Sequence, residues 1–582
     1  MNTAPQNPTL PNPFVLPIPG LKQLDALYRQ LRERTDTLTF PERLTEQLKV
    51  THRVAENDLA QIPRKGPVVV VANHPFGILE GAVLVNVFQR LRPDVKILAN
   101  ELLTAIPEIR DLVIAVDPIS GKKAASGNSK GLRQAIEHLA SDGLLIVFPA
   151  GEVSHFQWKQ RTIADPPWSP TVARLLALAA KRAPRLVIVP THIEGGNSAS
   201  FQLLGMLHPR IRTLLLAREL LNKRGAEIKL RVGSPIGASK ILALPSETER
   251  IEYLRWRTYL LASRAEYRPQ TALPMRSSAT LRTRIAPPVQ TDAMCQELAS
   301  LRTTVALGRS GDLTVYLASA AEIPAILTEI GRLREVTFRA AGEGTGKASD
   351  LDEFDETYQH LFVWHETKRE VVGAYRLART DRVLRLYTLT LFKYDSVFLD
   401  RMGPAIELGR SFVRAEYQKS FAPLLLLWNG IGRFVAQNPQ YKVLFGPVSI
   451  SNQYQSLSRE LMVSFLERHA SWRDWIGLVE TRNPFRRRKG LDLPDAGLDL
   501  DDLSDVVSDL EPARTGVPVL LRQYLKLGGK LLAFNVDPNF SDTLDGLIVV
   551  DLTRTEPRLL SRYLGKTEAA AFLDFQKGSY AA

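Results

Sequence analysis

The 582-residue chain has one cysteine, Cys295. A single thiol excludes an intrachain disulfide and any structural zinc site built on cysteines, and it fits a reducing compartment. Long apolar runs are also missing. The best, residues 421–432, lies between Lys419 and Arg433 and falls short of the roughly 20 residues that a spanning helix needs. Residues 1–20 carry no side-chain charge and hold Pro5, Pro8, Pro11, Pro13, Pro17 and Pro19. They lack the basic start and apolar core of a signal peptide, so a disordered lead-in is expected there. No internal repeat is visible, and no set of residues has the spacing of a metal site.

What is present is a globular composition, 45% apolar and 24% charged, in a chain too long for one ordinary core. Two domains of the α/β class are expected, over residues 21–266 and 304–582, joined by a proline- and arginine-rich linker at 267–303. The net charge of +13 is uneven: residues 1–285 hold 39 Lys and Arg against 24 Asp and Glu, and the remainder 36 against 38. Nucleic acid, an anionic membrane or an acidic carrier protein could each use that surplus. Nucleic acid is set aside, because the positive charge has neither aromatic interleaving nor a helix-turn-helix signal.

Apolar runs at 68–72, 95–98, 144–148 and 186–189 alternate with helical spacing at 131–140 and 171–182. This alternation predicts a largely parallel sheet with helices packed on it. Residues 21–64 read as helical and charged. In the second half, helices are expected at 324–338 and 423–435 and strands at 371–377 and 407–413. The acid-rich stretch 482–511, opening with Arg486-Arg-Arg-Lys489, reads as an exposed loop or lid.

Three of the first-half strands end in polar residues. Val68-Val-Val-Val-Ala-Asn-His-Pro-Phe-Gly-Ile-Leu-Glu-Gly81 supplies Asn73, His74 and Glu80; Phe148-Pro149-Ala-Gly151-Glu152 ends the second; His192 and Glu194 follow the third. Neighbouring parallel strands would bring these ends together, where open α/β sheets place their sites. A carboxylate holding one imidazole nitrogen frees the other to take a proton from a hydroxyl, which suits acyl transfer to an alcohol. Helix caps and turns are the plainer reading of each motif taken alone.

Residues 45–240 resemble the glycerophospholipid acyltransferases, through Asn73-His74, Phe148-Pro149 with Gly151, and Val189-Pro190. The resemblance implies that His74 is the general base, that Glu80 orients it, and that the 148–152 block helps bind the acceptor. Three departures stand out. The family's usual carboxylate position holds Leu79, with Glu80 one further on. The glutamate of its Phe-Pro-Glu-Gly block is Ala150. Its phosphate-gripping arginine is absent from residues 113–118, which end in Asp117 and Pro118. Without that clamp, the pattern looks like the branch that acylates lyso-ornithine lipid.

Beyond the linker, Arg334, Phe338, Asp352, Asp355, Arg376, Glu407 and Arg410, with Gly446-Pro-Val-Ser-Ile-Ser-Asn452, alternate acids and arginines. Such a set could grip a small zwitterion, or could form an ordinary salt-bridge mesh. Residues 313–551 resemble the ornithine N-acyltransferases, relatives of the acyl-homoserine-lactone synthases on the GNAT fold. The resemblance implies that these positions form the amine-acylating site, with Glu407 as base. Residues 418–423 lack the glycine-rich loop whose amides cradle the coenzyme A pyrophosphate. An acyl carrier protein is therefore the expected donor, and no bound cofactor is expected.

The combined expectation is a bifunctional enzyme of aminolipid synthesis. The C-terminal domain would N-acylate ornithine or another amino acid, and the N-terminal domain would O-acylate the product. It would be cytoplasmic and peripheral on the inner face of a bacterial membrane, docking to anionic lipid. Two other readings stay open: a single-activity lysophospholipid acyltransferase with an accessory carrier-binding domain, and a non-enzymatic, hemolysin-like membrane binder.

Overall fold

The computed structural model describes residues 20–116, 124–158, 161–207, 209–264, 283–301, 305–487 and 498–579. The expectations for the lead-in, for Asp117 and Pro118, for Arg488 and Lys489 and for the first part of the linker lie outside them. The chain divides into two compact units. The first is Met1–Ala265 with Pro494–Leu498 and Ser508–Arg514; the second is Glu266–Leu493 with Asp499–Val507 and Thr515–Ala582.

The first unit is built on strands β1 (Thr51–Val54), β2 (Val68–Ala72), β3 (Val95–Asn100), β4 (Val113–Val116), β5 (Leu144–Val147), β8 (Val187–Ile193), β9 (Glu227–Val232) and β10 (Ile236–Gly237), with a separate hairpin of β6 (His155–Gln157) and β7 (Thr162–Ala164). The sheet order is β1-β9-β8-β2-β5-β3-β4, with β10 pairing β8. β2 is central, parallel to both β5 and β8, and buried along its whole length. Helices cover both faces of such a strand, so a continuous valine run suits it better than alternation. The three polar strand ends are therefore neighbours. Pro190 does not stop β8 as the apolar pattern suggests; antiparallel pairing with β9 takes up from Thr191 and carries the strand through His192 to Ile193. Residues 51–54, expected to be helical, form the edge strand β1. Four residues with no buried side chain leave no period to read.

The stretch 482–511 is not simply an exposed loop: Leu500–Leu510 is a helix. Leu503, Val506, Val507 and Leu510 are buried at helical spacing, a pattern masked by the many aspartates between them. Asp509, which belongs to the first unit, is itself buried. It accepts from Arg257 Nη2 at 2.8 Å, Arg514 Nη1 at 2.6 Å and the Ser234 amide at 2.7 Å. Arg514 and Arg264 also grip the buried Asp58, at 2.7 and 2.6 Å. Residues 291–300 of the expected linker are helical as well.

The second unit holds an eight-stranded sheet in the order β11-β12-β13-β14-β16-β17-β20-β19. Its strands are β11 (Ala306–Ser310), β12 (Leu313–Ser319), β13 (Gln359–His365), β14 (Glu370–Arg379), β16 (Ala405–Val413), β17 (Val443–Ile450), β19 (Lys530–Asp537) and β20 (Thr543–Asp551); β15 (Phe392–Tyr394) and β18 (Val479–Thr481) pair apart. Neighbours run antiparallel except β16 and β17. These two are parallel and pair only from Ala405↔Val443 to Glu407↔Phe445, although both strands continue. Beyond that point β16 follows β14 and β17 follows β20, so the sheet opens between them. Gly446 sits at the fork, where a Cβ would lie 2.0 Å from the Leu408 carbonyl oxygen. Only glycine permits that approach. Helices Pro324–Ala340 and Ala422–Gln437 pack on the sheet, the first over β14 and β16 and the second over β11 to β14.

Candidate active sites

In the first unit, β2 delivers Asn73 and His74 to the C-terminal end of the sheet. Asn73 is buried and locks β2 to β8: its amide donates to the Ile193 carbonyl at 2.9 Å and its oxygen accepts from the Ile193 amide at 2.7 Å. His74 stacks on Phe148 from the neighbouring strand end, with ring centroids 4.4 Å apart. The turn between His74 and helix Leu79–Gln89 passes through Gly77 at φ +111°. It brings Glu80, one position beyond the family's usual site, back to the histidine. Glu80 Oε1 lies 2.8 Å from His74 Nδ1 and accepts from the Phe76 and Gly77 amides at 2.9 and 2.8 Å. The Nδ1 contact is close but off-line for a hydrogen bond, so the coupling is chiefly coulombic.

The electrostatics suit a proton-taking pair. Burial alone would push the imidazole down; the attraction of Glu80, helped by Asp165, overcomes it and leaves His74 above its ordinary value. Burial pushes Glu80 up, yet His74 and the two amides hold it below the usual carboxylate range. Glu80 is fully buried, whereas the His74 side chain keeps 15% exposure. One nitrogen is thus committed to a buried anion, while the ring keeps an edge open to a substrate.

Other expected residues stand elsewhere. Glu152 is turned to the surface, paired with Arg212 at 3.1 Å. Glu194 is half-exposed and pairs with Arg231 at 3.1 Å. His192 is buried against the Tyr259 ring, and burial beside Arg231 lowers it to about 4, so it is neutral. Pro149 lends its carbonyl to Ser169, and Gly151 takes φ +67° in the turn after Phe148. Asp165 was not anticipated. Its Oδ1 accepts from the His74 amide at 3.1 Å and from the Ser154 hydroxyl, and its Oδ2 accepts from Trp168 Nε1 at 2.9 Å. The only trace in the sequence is Asp165-Pro-Pro-Trp168, a turn signal with no chemical signature. A cavity of about 920 Å³ begins at Asp165, lined by Phe156, Trp158, Trp168, Gln202, Arg212 and Arg255 among others. That is room for a ligand of lipid size.

In the second unit the acids and arginines do converge. Arg334, wholly buried, donates to Asp355 at 2.6 Å, and Arg376 reaches Asp352 at 2.5 Å and Asp355 at 3.2 Å. Asp355 is pushed up by burial, but Arg334 and Arg376 together hold it far below the usual range. Arg410 sits in a β-bulge of β16 at φ +50°, a strained conformation for a non-glycine residue that re-aims its side chain. Its guanidinium lies 3.3 Å from Asp350 and 3.9 Å from Asp352, over the rings of Phe540 and Tyr387. Phe338 meets Phe540 edge-on at 5.2 Å. Glu407 is sealed: one oxygen accepts from Tyr358 Oη at 2.7 Å, the other from the Thr388 amide at 2.8 Å. Burial raises its pKa above the ordinary value despite those bonds. Glu343, Asp350, Asp537 and Asp545, also near Arg410, were not singled out by the sequence.

Among the described residues no group of His, Cys, Asp or Glu could hold a metal ion, and no helix is long and apolar enough to cross a membrane. Residues 47–266 match the family described as Acyltransferase, and residues 333–428 match the Acetyltransferase (GNAT) domain. Among curated proteins, the chain is 37% identical over 177 residues to a glycine N(alpha)-acyltransferase of Phocaeicola vulgatus, covering 28% of this chain and 54% of that protein. It is 27% identical to an L-ornithine N(alpha)-acyltransferase of Brucella abortus, over 44% and 91% of the two chains. It is 30% identical to a lyso-glycine lipid O-acyltransferase of Bacteroides thetaiotaomicron, over 32% and 66%. The chain thus spans about half the length of the first of these relatives. The chain thus joins an N-terminal acyltransferase domain to a C-terminal GNAT-like domain.

Proposed function

We propose that the chain makes a diacylated amino-acid lipid in two steps. The GNAT unit transfers a 3-hydroxyacyl group from a thioester to the α-amine of an amino acid. The first unit then acylates the hydroxyl of that product, with His74 as base and Glu80 as its anionic partner. The observation that carries this reading is the His74–Glu80 pair at 2.8 Å, in a chain that also holds a GNAT domain. One site fits an alcohol acceptor, and the other supplies its substrate. The ion network from Arg334 to Arg410 supports an amino-acid acceptor, since arginines can grip its carboxylate and the acids its ammonium. Glu407 is bound by Tyr358 Oη and the Thr388 amide, so its part is to hold that hydroxyl and the turn at Thr388.

Ornithine and glycine are the two acceptors named among the relatives. An acyl carrier protein as donor is supported by the approach to helix Ala422–Gln437. Its N-terminus has an exposed Phe421, an Ala422 amide that donates to Ser420 Oγ at 3.2 Å, and no glycine to bring amides against a pyrophosphate. Attachment to an anionic membrane is supported by the basic first half and by exposed Trp158, Ile163, Leu203 and Leu204.

The test is expression of the full chain in a host without amino-acid lipids, followed by mass spectrometry of total lipid. A diacyl amino-acid lipid that His74→Ala reduces to its monoacyl form supports both steps and identifies the head group. No new lipid, in a host supplying ornithine, glycine and acyl carrier protein, would refute the reading.

A further inference from the structure

An ammonium group cannot attack a thioester; it must first lose a proton. The sheet parts between β16 and β17 beyond Glu407 and Phe445, which leaves an opening for a substrate. Glu407 stands at the closed end of that opening with both oxygens occupied and only 1% of its surface exposed. Another carboxylate is better placed. Glu343 lies in the loop after helix Pro324–Ala340, between Gly342 at φ +76° and Gly344 at φ +98°. The loop is pinned on both sides: Ser451 donates to the Ala341 carbonyl at 2.6 Å and Ser541 to the Gly344 carbonyl at 3.0 Å. It carries Glu343 onto β17 beyond the fork, where Oε2 accepts only a long bond, 3.4 Å, from Ser449 Oγ.

We propose that the Glu343 carboxylate is the base that takes the proton from the acceptor ammonium in the GNAT unit, a role that rests on the N-acyl transfer proposed above. The groups facing it are Arg410 from β16, Ser449 from β17 and Asp545 from β20, with Asp537 from β19 beside Asp545. Arg410, the cation among them, is already engaged by Asp350 and Asp352. Burial is the main influence on Glu343 and raises it to about 7, against the smaller downward effects of Ser449 and Arg410. A base poised there is half ionised near neutral pH, which is where proton transfer from an amine is best served. Asp545, opposite Ser449 across the β17–β20 pairing, is buried and raised well above its ordinary range, so it adds little negative charge.

In the step, one ammonium proton passes to Glu343. The nitrogen lone pair attacks the thioester carbonyl, a C–N bond forms and the C–S bond breaks. The thiolate leaves and is protonated by the second proton that the nitrogen sheds. Glu343 then returns its proton to solvent, so one proton is released per turnover.

The experiment measures kcat at saturating amino acid with purified full-length protein and an acyl thioester, from pH 5.5 to 9, by thiol release and mass detection of the N-acyl product. Wild type should lose activity below about pH 7 with a slope of one proton. Glu343→Gln should lose roughly 10²- to 10⁴-fold in kcat and lose that acidic limb. Glu343→Ala should recover activity in proportion to added formate, which a merely structural role would not allow. Glu407→Gln serves as comparator, and circular dichroism checks that each variant is folded. A folded Glu343→Gln within threefold of wild type, or one that keeps the limb, overturns the proposal; so does a limb lost in Glu407→Gln instead. Wild type that forms no N-acyl amino acid from any thioester refutes the underlying reading, and the role of Glu343 falls with it.

Discussion

Glu80→Gln keeps the shape of the side chain and removes its charge. The glutamine oxygen can still accept from the Phe76 and Gly77 amides, which now bond Oε1 at 2.9 and 2.8 Å, so the turn after His74 should hold. What is lost is the anion beside the imidazolium that forms as the hydroxyl proton is taken. At the 2.8 Å separation seen here, two unit charges attract by about 6 kcal/mol at an effective dielectric constant of about 20. His74 keeps 15% exposure, so water screens part of this. About 3 kcal/mol should survive, which lowers kcat by roughly 10²-fold. KM for the acceptor should move less than about threefold, because Glu80 is buried away from the substrate and acts on the transition state. The assay is thiol release from an acyl thioester, with a 3-hydroxyacyl amino acid in micelles as acceptor. A folded Glu80→Gln protein with kcat within fivefold of wild type would refute the argument, and His74 would then work without its carboxylate.

The pH dependence of O-acyl transfer follows from the same pair. A base raised above the ordinary histidine value of 6.5 is protonated sooner on acidification, so kcat should fall as pH drops through a value above 6.5, and Glu80→Gln should move that limb to lower pH. For stability the signs differ: the His74 contribution is lost as pH rises through its raised value, and the Glu80 contribution as pH falls through its lowered one. Asp509→Ala leaves Arg257 buried without its carboxylate, which should destabilise the first unit by about 3–5 kcal/mol and appear as an earlier thermal transition by calorimetry. Trp158→Ser with Leu203→Ser removes two strongly exposed apolar side chains and should weaken flotation with anionic vesicles while leaving the melting temperature unchanged. Equal flotation at low salt would count against that face.

The strands were the most legible part of the chain, because a central parallel strand such as β2 is apolar at every position and needs no alternation to be seen. The polar residues at the end of β2 could be read for the same reason: the change from Ala72 to Asn73 is abrupt. Helix Leu500–Leu510 was hidden because charge, not apolar spacing, dominates its composition. The candidate sites were legible where motif residues meet one another, as His74 meets Glu80 and Arg376 meets Asp352. They were not legible where the contact comes from a distant part of the chain. Asp165 reaches the His74 main chain across 91 residues of sequence, and Glu343 meets Ser449 across 106. Neither separation leaves a local pattern. Glu152 and Glu194 stand beside motif residues in the sequence, yet their side chains pair with Arg212 and Arg231 rather than with His74.

The first unit includes Ser508–Arg514, and with them the partners of Arg257, Arg264 and Asp58. On the ribosome those partners arrive about 250 residues after Arg264, a delay of roughly 12–50 seconds at ordinary elongation rates. Until then Arg257 lacks its carboxylate, Asp509, and the Arg264–Asp58 pair lacks Arg514. Its completion is therefore a late event, timed by the emergence of a segment that follows most of the second unit. By the same logic, a fragment cut at the linker would be an unfinished unit, and silence from such a fragment would say nothing about the chemistry of His74.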